Sequence, residues 1–309
     1  MKIIERKAAR FLLKKIRKDL AMSIDITALY VCLADFCKLY NSCLKYYCLP
    51  SQKQRYRQGY LSLEEILFIE VYFHFSPYKD FKHYYLYGIC LEHRNKFGKL
   101  PCYQRFVALK KQMIMPLTIL LHCLTGEQTG LYFADSTSLK VCHNQRIFNH
   151  KVFAGLAQRG KTTMGWFFGL KLHLVLNHKG QIMAVRITPG NTDDRPALIR
   201  MLTGLKGKCF ADKGYLGKEI FQALWQKGIH LITGIRKNMK TYLMPYLDKI
   251  LLRKRFLIET VFGILKTDMN LEHSRHRSPM NAFVHIMATL VAYSYKINKP
   301  KIYAPSLGS

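Results

Sequence analysis

Apolar side chains recur at intervals of three and four residues through the first 125 positions, and this spacing predicts a helical region. Ser62 and Glu65 form a capping-box pattern ahead of one apolar run. Pro50 and Pro77 follow two of the runs and predict helix ends there. The predicted helices cover residues 26–47, 62–75, 79–91 and 103–124, the last with a kink at Pro116.

After Gly126 the pattern changes to short apolar runs separated by turn residues. His178-Lys179-Gly180 joins two of the runs and predicts a hairpin. Strands are predicted over residues 130–135, 165–177, 181–188, 208–211 and 230–236, and helices over 193–205, 216–227, 247–267 and 281–295. This order is typical of an α/β, ribonuclease-H-like fold with a mixed sheet, here preceded by an all-helical N-terminal domain.

The charge of the chain indicates a polyanionic partner. Its 309 residues include 49 Lys and Arg against 19 Asp and Glu, a net charge of +30. Because 49% of the residues are hydrophobic and 13% aromatic, this charge belongs to a folded body and not to a disordered polycation. Lys and Arg that neutralise phosphates release counterions, which favours nucleic acid binding. A ribosomal or chromatin-like structural protein would carry the same charge, so catalysis needs separate evidence.

The cysteines and the apolar runs limit the class of protein further. Nine cysteines are scattered with no Cys-x-x-Cys spacing, which disfavours zinc and is typical of a reducing compartment. No charge-free apolar stretch of about 18 residues stands out, so a membrane span is not expected. The first 20 residues hold eight Lys or Arg without the long apolar core of a signal peptide. A cytoplasmic location follows as the expectation.

Two aspartates follow the same pair of residues. Phe-Ala-Asp occurs at 133–135 and again at 210–212, each time at the end of an apolar run. We predict that two neighbouring strands end in Asp135 and Asp212 and bring the acids together at one sheet edge. Each aspartate taken alone is also typical of a tight turn.

A third acid, Glu259, lies in the predicted helix 247–267. With 100° of rotation per residue, Arg255 and Lys266 share its helix face. An Arg and a Glu four residues apart are often only a surface ion pair. Together with the two strand-end aspartates, however, Glu259 completes a set of three carboxylates. Such a hard oxygen set suits Mg²⁺ or Mn²⁺, and two ions about 3.5 to 4 Å apart support phosphodiester chemistry by in-line displacement.

Gly155-x4-Gly160-Lys161-Thr162 matches the phosphate-binding P-loop pattern. A P-loop follows a strand and opens a helix, whereas this segment runs into a predicted strand, so no nucleotide cofactor is expected. We predict instead a flexible basic loop in which Arg159 and Lys161 contact DNA phosphate.

Two further polar segments have competing interpretations. Asp193-Asp194 precedes a predicted helix and favours capping of its positive end. The cluster at 273–278 is either a solvated loop or a clamp on the DNA strand that enters the site, and we favour the clamp. Its candidate DNA-binding residues are His273, Arg275, His276 and Arg277.

Six segments carry a resemblance to a known family. They are Phe133-Ala134-Asp135-Ser136-Thr137, Cys142-His143-Asn144, Gly165-Trp166-Phe167-Phe168-Gly169, Thr188-Pro189-Gly190-Asn191, Ala211-Asp212-Lys213-Gly214-Tyr215 and Glu272-His273-Ser274-Arg275-His276-Arg277-Ser278. In these segments the chain resembles bacterial insertion-sequence transposases of the DDE type, and most of all the insertion sequence 982 group. The resemblance covers residues 24–302 and leaves out residues 1–22.

The resemblance implies a ribonuclease-H-like catalytic domain with two Mg²⁺ or Mn²⁺ ions held by Asp135, Asp212 and Glu259. The spacing of Arg255, Glu259 and Lys266 is similar to the signature around the third acid of many such transposases, and it implies that Arg255 and Lys266 hold DNA phosphate. Leu252 stands where those proteins often have a tyrosine.

The expected function is therefore a DNA transposase that binds the terminal inverted repeats of a bacterial insertion sequence and catalyses metal-dependent DNA cleavage and strand transfer. Its expected partners are double-stranded DNA, at the repeats and at the target, and at least one more copy of the chain. We expect it to be cytoplasmic and nucleoid-associated. The expected regions are a basic extension at 1–22, a helical DNA-binding region at 23–125, a catalytic domain at 126–295 and a basic tail at 296–309.

Two alternatives stay open at this point. One is a structure-specific nuclease or resolvase on the same fold, which cuts DNA without joining it. The other is a non-catalytic DNA-binding protein derived from such a transposase. The three acids argue for an enzyme, and a strand-transfer assay separates it from a nuclease.

Overall fold

The computed structural model describes residues 25–47, 59–163, 165–235, 243–272 and 276–303. They form two compact units. The helical unit contains the described residues up to Leu124 together with Met269–Leu271 and Ser278–Ile297. The sheet unit contains Thr125–Asp268, Glu272–Arg277 and the described residues from Asn298 onward. The predicted region 126–295 therefore includes segments of both units.

The helical unit is built largely as its apolar pattern predicts. The Ser62–Glu65 capping box is present, with Glu65 N donating to Ser62 Oγ at 3.3 Å and Ser62 N donating to Glu65 Oε2 at 2.7 Å. The helices are α1 (Ile26–Tyr47), α2 (Leu63–Tyr72), α3 (Phe81–His83, continuing as the π-helix Tyr84–Glu92), α4 (Tyr103–Leu109), α5 (Ile114–Cys123) and the final helix, Pro279–Tyr295. Buried side chains occur on every side of the final helix, which makes it the core helix of this unit.

The helix predicted over 103–124 is interrupted before Pro116. Pro116 lies in the first turn of α5, where its missing N–H has no helical partner to lose. The irregularity falls earlier, in the 3-10 turn Lys110–Met113. There Lys110 Nζ reaches Glu70 Oε2 at 3.1 Å, and both side chains are buried. Burial raises the pKa of Glu70, and the ammonium of Lys110 opposes that rise.

By length and composition alone, Tyr103–Cys123 is apolar enough to span a membrane. In the structure Phe106, Leu117 and Leu120 of this segment are buried in the helical unit. A core helix of a folded unit can have the same composition.

The described residues of the sheet unit form six strands in a mixed sheet. The strands are β1 (Leu131–Cys142), β2 (Gln158–Thr162), β3 (Gly165–Asn177), β4 (Ile182–Pro189), β5 (Gly207–Ala211) and β6 (Ile229–Thr233). β1 pairs with β3 antiparallel and with β5 parallel, and β5 continues parallel to β6. β2 pairs with the first residues of β3 and β4 with the later ones. This arrangement confirms the predicted α/β class and the predicted hairpin.

Helices cover the sheet on both faces. They are α6 (Asp194–Met201), α7 (Lys218–Gln226), α8 (Tyr246–Arg253) and α9 (Phe256–Gly263, continuing as the π-helix Ile264–Asp268). On one face Tyr132 and Ala134 of β1 lie in a core cluster with Leu198 of α6 and Leu224 of α7. Because successive side chains of a strand alternate in direction, Phe133 and Asp135 belong to the other face, where α9 contacts β1.

Three predictions about this unit are wrong in detail. The first strand runs seven residues beyond Asp135 to Cys142. The segment expected to be a flexible loop around Arg159 is the strand β2. The long helix predicted over 247–267 is two helices that meet at Lys254 and Arg255. Two anchors explain the break: Asp248 of α8 is buried and bonds Lys208 of β5 at 2.8 Å, whereas α9 contacts β1.

Gly169 allows β1 and β3 to approach each other beside the continuation of β1. A Cβ at Gly169 would lie 2.0 Å from Leu139 O. We therefore expect Gly169→Ala to lower the free energy of unfolding, measured by urea titration, by about 1 to 3 kcal/mol. Gly263→Ala in α9 is the control, because nothing lies within 4 Å of its added Cβ. The account fails if both variants unfold at the same urea concentration.

Candidate active site

The pairing of β1 with β5 places two aspartates side by side. Phe133 pairs with Phe210 and Ala134 with Ala211, and there the pairing between the two strands stops. Asp135 and Asp212 are the next residue of each chain segment. The prediction that both strands end in an aspartate holds for β5 only, because β1 continues with β3 as its partner. The pairing of β1 with β5 ends just before Asp135 and Asp212. The two acids therefore lie at the opening of the sheet where β1 and β5 separate.

The third acid comes from α9. Arg255 precedes the helix as its N-cap residue, and Glu259 lies in the first turn. Leu257, Ile258 and Val261 are buried and hold the helix against the unit. The side chain of Glu259 is 56% exposed, as is that of Asp212.

Arg255 joins the three acids. Its Nη1 donates to Asp135 Oδ2 at 2.8 Å and its Nη2 to Glu259 Oε1 at 2.8 Å. The same Nη2 lies 3.9 Å from Asp212 Oδ1. A guanidinium presents its N–H groups in a rigid planar fork, so a single side chain can order carboxylates from two strands and a helix. The structure therefore brings the three predicted acids together.

The three carboxylates differ in their surroundings. Burial raises the pKa of Asp135 from 3.8 to about 6, although Arg255 and the N–H of Ser136 oppose the rise. The negative charge of Asp212 raises this pKa further. The side chain of Asp135 is 21% exposed, less than half of the value for the other two acids. A strongly perturbed acid beside a specific charge partner is a common feature of functional sites.

The donor set suits a hard divalent cation. Three carboxylates share the guanidinium of Arg255, so negative charge is in excess, and oxygen donors of this kind are the ligands that Mg²⁺ and Mn²⁺ prefer. Among the described residues, no group of three or more His, Cys, Asp or Glu side chains has the spacing that would hold a metal ion without rearrangement. In this cluster Arg255 itself lies among the acids.

Comparisons with known proteins identify the family of the chain. The family model for the transposase DDE domain matches residues 125–279, half of the chain. The chain belongs to the DDE transposase family. A comparison with curated proteins found no match.

One solved structure of a transposase complex resembles this DDE transposase in fold. The piggyBac transposase synaptic complex with hairpin DNA matches with a TM-score of 0.50 and 9% identity, over 89% of this chain and 74% of that one. This likeness supports the ribonuclease-H-like fold. The Mos1 mariner paired end complex with Mn has a TM-score of 0.23 and 11% identity, over 88% and 97% of the two chains. A simian T-cell lymphotropic virus intasome bound to PP2A regulatory subunit B56 gamma has a TM-score of 0.29 and 15% identity, over 58% and 60%. The last two are too distant to inform this site.

Lys266 of the DDE transposase does not lie beside the acids, contrary to the predicted shared helix face. Its Nζ donates to Ser138 O at 2.7 Å and lies 3.5 Å from Glu272 Oε2. A π-helical turn closes at i+5, so the π-helix Ile264–Asp268 rotates Lys266 away from the face of Glu259. Glu272 in turn accepts from the backbone N–H of Lys140 at 3.0 Å. Lys266 and Glu272 thus bond the backbone of β1 beyond its pairing with β5.

Arg159 and Lys161 are exposed on β2 and lie over the same aromatic ring. Their cationic groups are 4.9 Å and 5.6 Å from the ring centroid of Trp166 on β3. Because this segment is a strand paired with another strand, it is not a P-loop, as its context predicted. The DDE transposase therefore presents two cations in a fixed position on the β2–β3 hairpin.

The remaining predicted residues have different outcomes. His276 and Arg277 are described, and Arg277 is exposed, whereas His273 and Arg275 lie outside the described residues. Asp193 is the N-cap of α6, as predicted, and accepts from Arg195 N at 3.0 Å. Asp194 has a different role, since it bonds Ser136 and Lys171 of the sheet. The sequence signal for this contact is Lys171, a charged residue in the largely apolar strand β3.

The raised pKa of Asp135 makes a prediction about stability. Between its ordinary pKa of 3.8 and about 6, the folded chain keeps a proton that the unfolded chain has released, so stability falls as pH rises through that window. Asp135→Asn removes the free-energy cost of ionising this buried carboxyl in the folded chain. We expect the variant to be more stable than the wild type by roughly 2 to 3 kcal/mol at about pH 7 and equally stable below about pH 4.

Thermal unfolding across this pH range measures the effect. Asp212→Asn is the matched control, because its carboxyl is more than half exposed, and we expect it to change stability little at any pH. Equal, pH-independent effects of the two substitutions would show that Asp135 carries no buried charge.

Proposed function

We propose that this DDE transposase is the transposase of a bacterial insertion sequence, which binds the terminal inverted repeats of its element and catalyses metal-dependent cleavage and joining of DNA. The observation that carries the proposal is the meeting of Asp135, Asp212 and Glu259 at Arg255, in a chain whose family is that of DDE transposases. The excess of basic residues makes DNA the natural substrate.

The carboxylates of Asp135, Asp212 and Glu259 would hold two Mg²⁺ or Mn²⁺ ions. Such ions activate an attacking oxygen and stabilise the leaving oxygen of an in-line displacement. In the first reaction, a water oxygen attacks a phosphorus at the element end, and the bond to the 3′ oxygen breaks to leave a 3′-hydroxyl. In the second, this hydroxyl attacks a phosphorus of the target, so one phosphodiester forms as another breaks. The exchange needs no nucleotide cofactor.

Arg255 would have two tasks in this reaction. Before DNA binds, it holds the buried Asp135 and the exposed Glu259 in one place, as its two 2.8 Å contacts indicate. With a negatively charged phosphodiester at the site, its fork geometry suits the phosphate oxygens. Lys266 would act on the site indirectly. Its contacts with Ser138 and Glu272 hold β1 and the start of the segment 272–277 in place.

The surfaces that would hold DNA combine this site with the basic hairpin. Arg159 and Lys161 on β2 would contact phosphates, as would the basic residues of 273–277, and the helical unit would bind the inverted repeats. Two element ends must meet for strand transfer, so we propose an assembly of at least two copies on DNA. These roles follow from charge and position, and each is open to test.

The catalytic proposal predicts a separation of binding from chemistry. Asp135→Asn, Asp212→Asn and Glu259→Gln should each reduce Mg²⁺-dependent cleavage of DNA that carries the element end by more than about 100-fold. Loss of a residue that only hydrogen-bonds a metal ligand typically lowers activity by about 10- to 100-fold, and loss of the ligand itself should lower it further. Binding to the same DNA should persist. Glu219→Gln is the control, since Glu219 is an exposed acid of α7.

Gel assays of cleavage and of strand transfer measure both reactions. Cleavage without joining by the wild type would favour a nuclease, and DNA binding without any metal-dependent cleavage would favour a non-catalytic protein. Full activity of any of the three acid variants would refute the assignment.

The hairpin proposal predicts a change in salt dependence. Arg159→Gln and Lys161→Gln should each lower DNA affinity and reduce the slope of log affinity against log salt by about 0.9, because each would remove one phosphate contact. Arg200→Gln, which removes an exposed cation from α6, should leave the slope unchanged. Fluorescence anisotropy over a range of salt concentrations gives the slopes, and three identical slopes would exclude the hairpin from the DNA contact.

A further inference from the structure

Ser136 connects the carboxylate cluster with the opposite face of the sheet. Its backbone N–H donates to Asp135 Oδ1 at 2.8 Å. Since successive side chains of a strand alternate in direction, the Ser136 side chain lies on the face that packs against α6. There its hydroxyl donates to Asp194 Oδ2 at 2.9 Å. One residue thus contacts a proposed metal ligand through its backbone and a different acid through its side chain.

Asp194 makes contacts that a helix-capping residue does not need. The neighbouring Asp193 already caps α6. The other oxygen of Asp194, Oδ1, accepts from Lys171 Nζ at 2.9 Å, and the same ammonium donates to Thr192 O at 3.0 Å. The side chains of Asp194 and Lys171 are 28% and 17% exposed, so this is a largely enclosed ion pair. It joins the start of α6 to β3 and directs the second oxygen of Asp194 at Ser136.

Tyr215 extends the same network to the second aspartate. It ends the 3-10 turn Lys213–Tyr215, which directly follows Asp212, and its backbone N–H donates to Asp212 O at 3.0 Å. The side chain of Tyr215 is buried and lies beside Ser136. Ser136 is therefore in contact with the groups that position both aspartates.

We propose that Asp194 is a positioning residue for the Asp135 and Asp212 carboxylates, and that it acts through Ser136. By holding the hydroxyl of Ser136, Asp194 keeps the adjoining N–H directed at Asp135 Oδ1 and provides Tyr215 with a fixed partner. Partners of this kind orient metal ligands, and their loss typically weakens metal affinity by about 10- to 100-fold. The proposal rests on the proposed function, in which both aspartates bind metal.

Mn²⁺ binding to the full chain tests the proposal without relying on activity. The free ion is measured by electron paramagnetic resonance, on folded protein well below its unfolding temperature, for the wild type and five variants. Asp194→Asn and Ser136→Ala should each weaken Mn²⁺ affinity by about 10- to 100-fold. The double variant should bind no more weakly than the poorer single variant, because the two residues act in one chain of contacts. Asp193→Asn, the same charge change one residue away, should bind as the wild type does.

The outcomes separate this inference from the proposed function. If Asp135→Asn, tested in parallel, loses Mn²⁺ binding while Asp194→Asn retains wild-type affinity, the positioning role is refuted and the metal site stands. Losses that multiply in the double variant also refute it, because Asp194 then acts independently of Ser136. If the wild type and Asp135→Asn bind Mn²⁺ equally, the metal site itself is wrong, and the positioning role falls with it.

Discussion

The register between β1 and β5 is the constraint on which the rest of the site depends. At the start of this pairing Gly207, with φ of 121°, lies so close to Gly130 that an added Cβ would be 2.2 Å from Gly130 O. At its end the rings of Phe133 and Phe210 stack at 5.4 Å, and Ala134 and Ala211 form the last pair. The repeated Phe-Ala-Asp thus lies side by side in the fold, and both aspartates emerge at one opening of the sheet.

Opposing electrostatic effects act on the three acids at that opening. Burial raises the pKa of Asp135, and Arg255 opposes the rise while bonding Glu259 with its other nitrogen. A site arranged only for stability would not place a carboxylate of raised pKa next to a second negative charge. Such a site gains from a further cation, and so the same arrangement that costs stability favours metal binding. In the positioning role that we propose for Asp194, its hydrogen bond with Ser136 keeps Asp135 in place under this repulsion.

Features governed by local periodicity could be predicted from the sequence, and features governed by long-range contacts could not. The helices of the N-terminal region, the β3–β4 hairpin and the three acids follow from apolar spacing and from the repeat of Phe-Ala-Asp. The strand β2 lacks apolar strand formers and exists because it pairs with β3. The break before Arg255 depends on the distant contact between Asp248 and Lys208, and the π-helix moves Lys266 to Ser138. From the sequence alone Asp194 is indistinguishable from a capping acid, because its partners lie on the distant strands β1 and β3.

The central claim is that Asp135, Asp212 and Glu259 form one metal-binding catalytic site. A crystal structure of the chain with Mn²⁺, with the ion located by its anomalous scattering, tests it most directly. The account predicts anomalous peaks bonded to oxygens of Asp135 and Asp212, with Glu259 as a ligand of the same centre and Arg255 moved off Asp135 Oδ2. Peaks elsewhere on the chain, with Asp135 and Glu259 still bonded to Arg255 at saturating Mn²⁺, would contradict it.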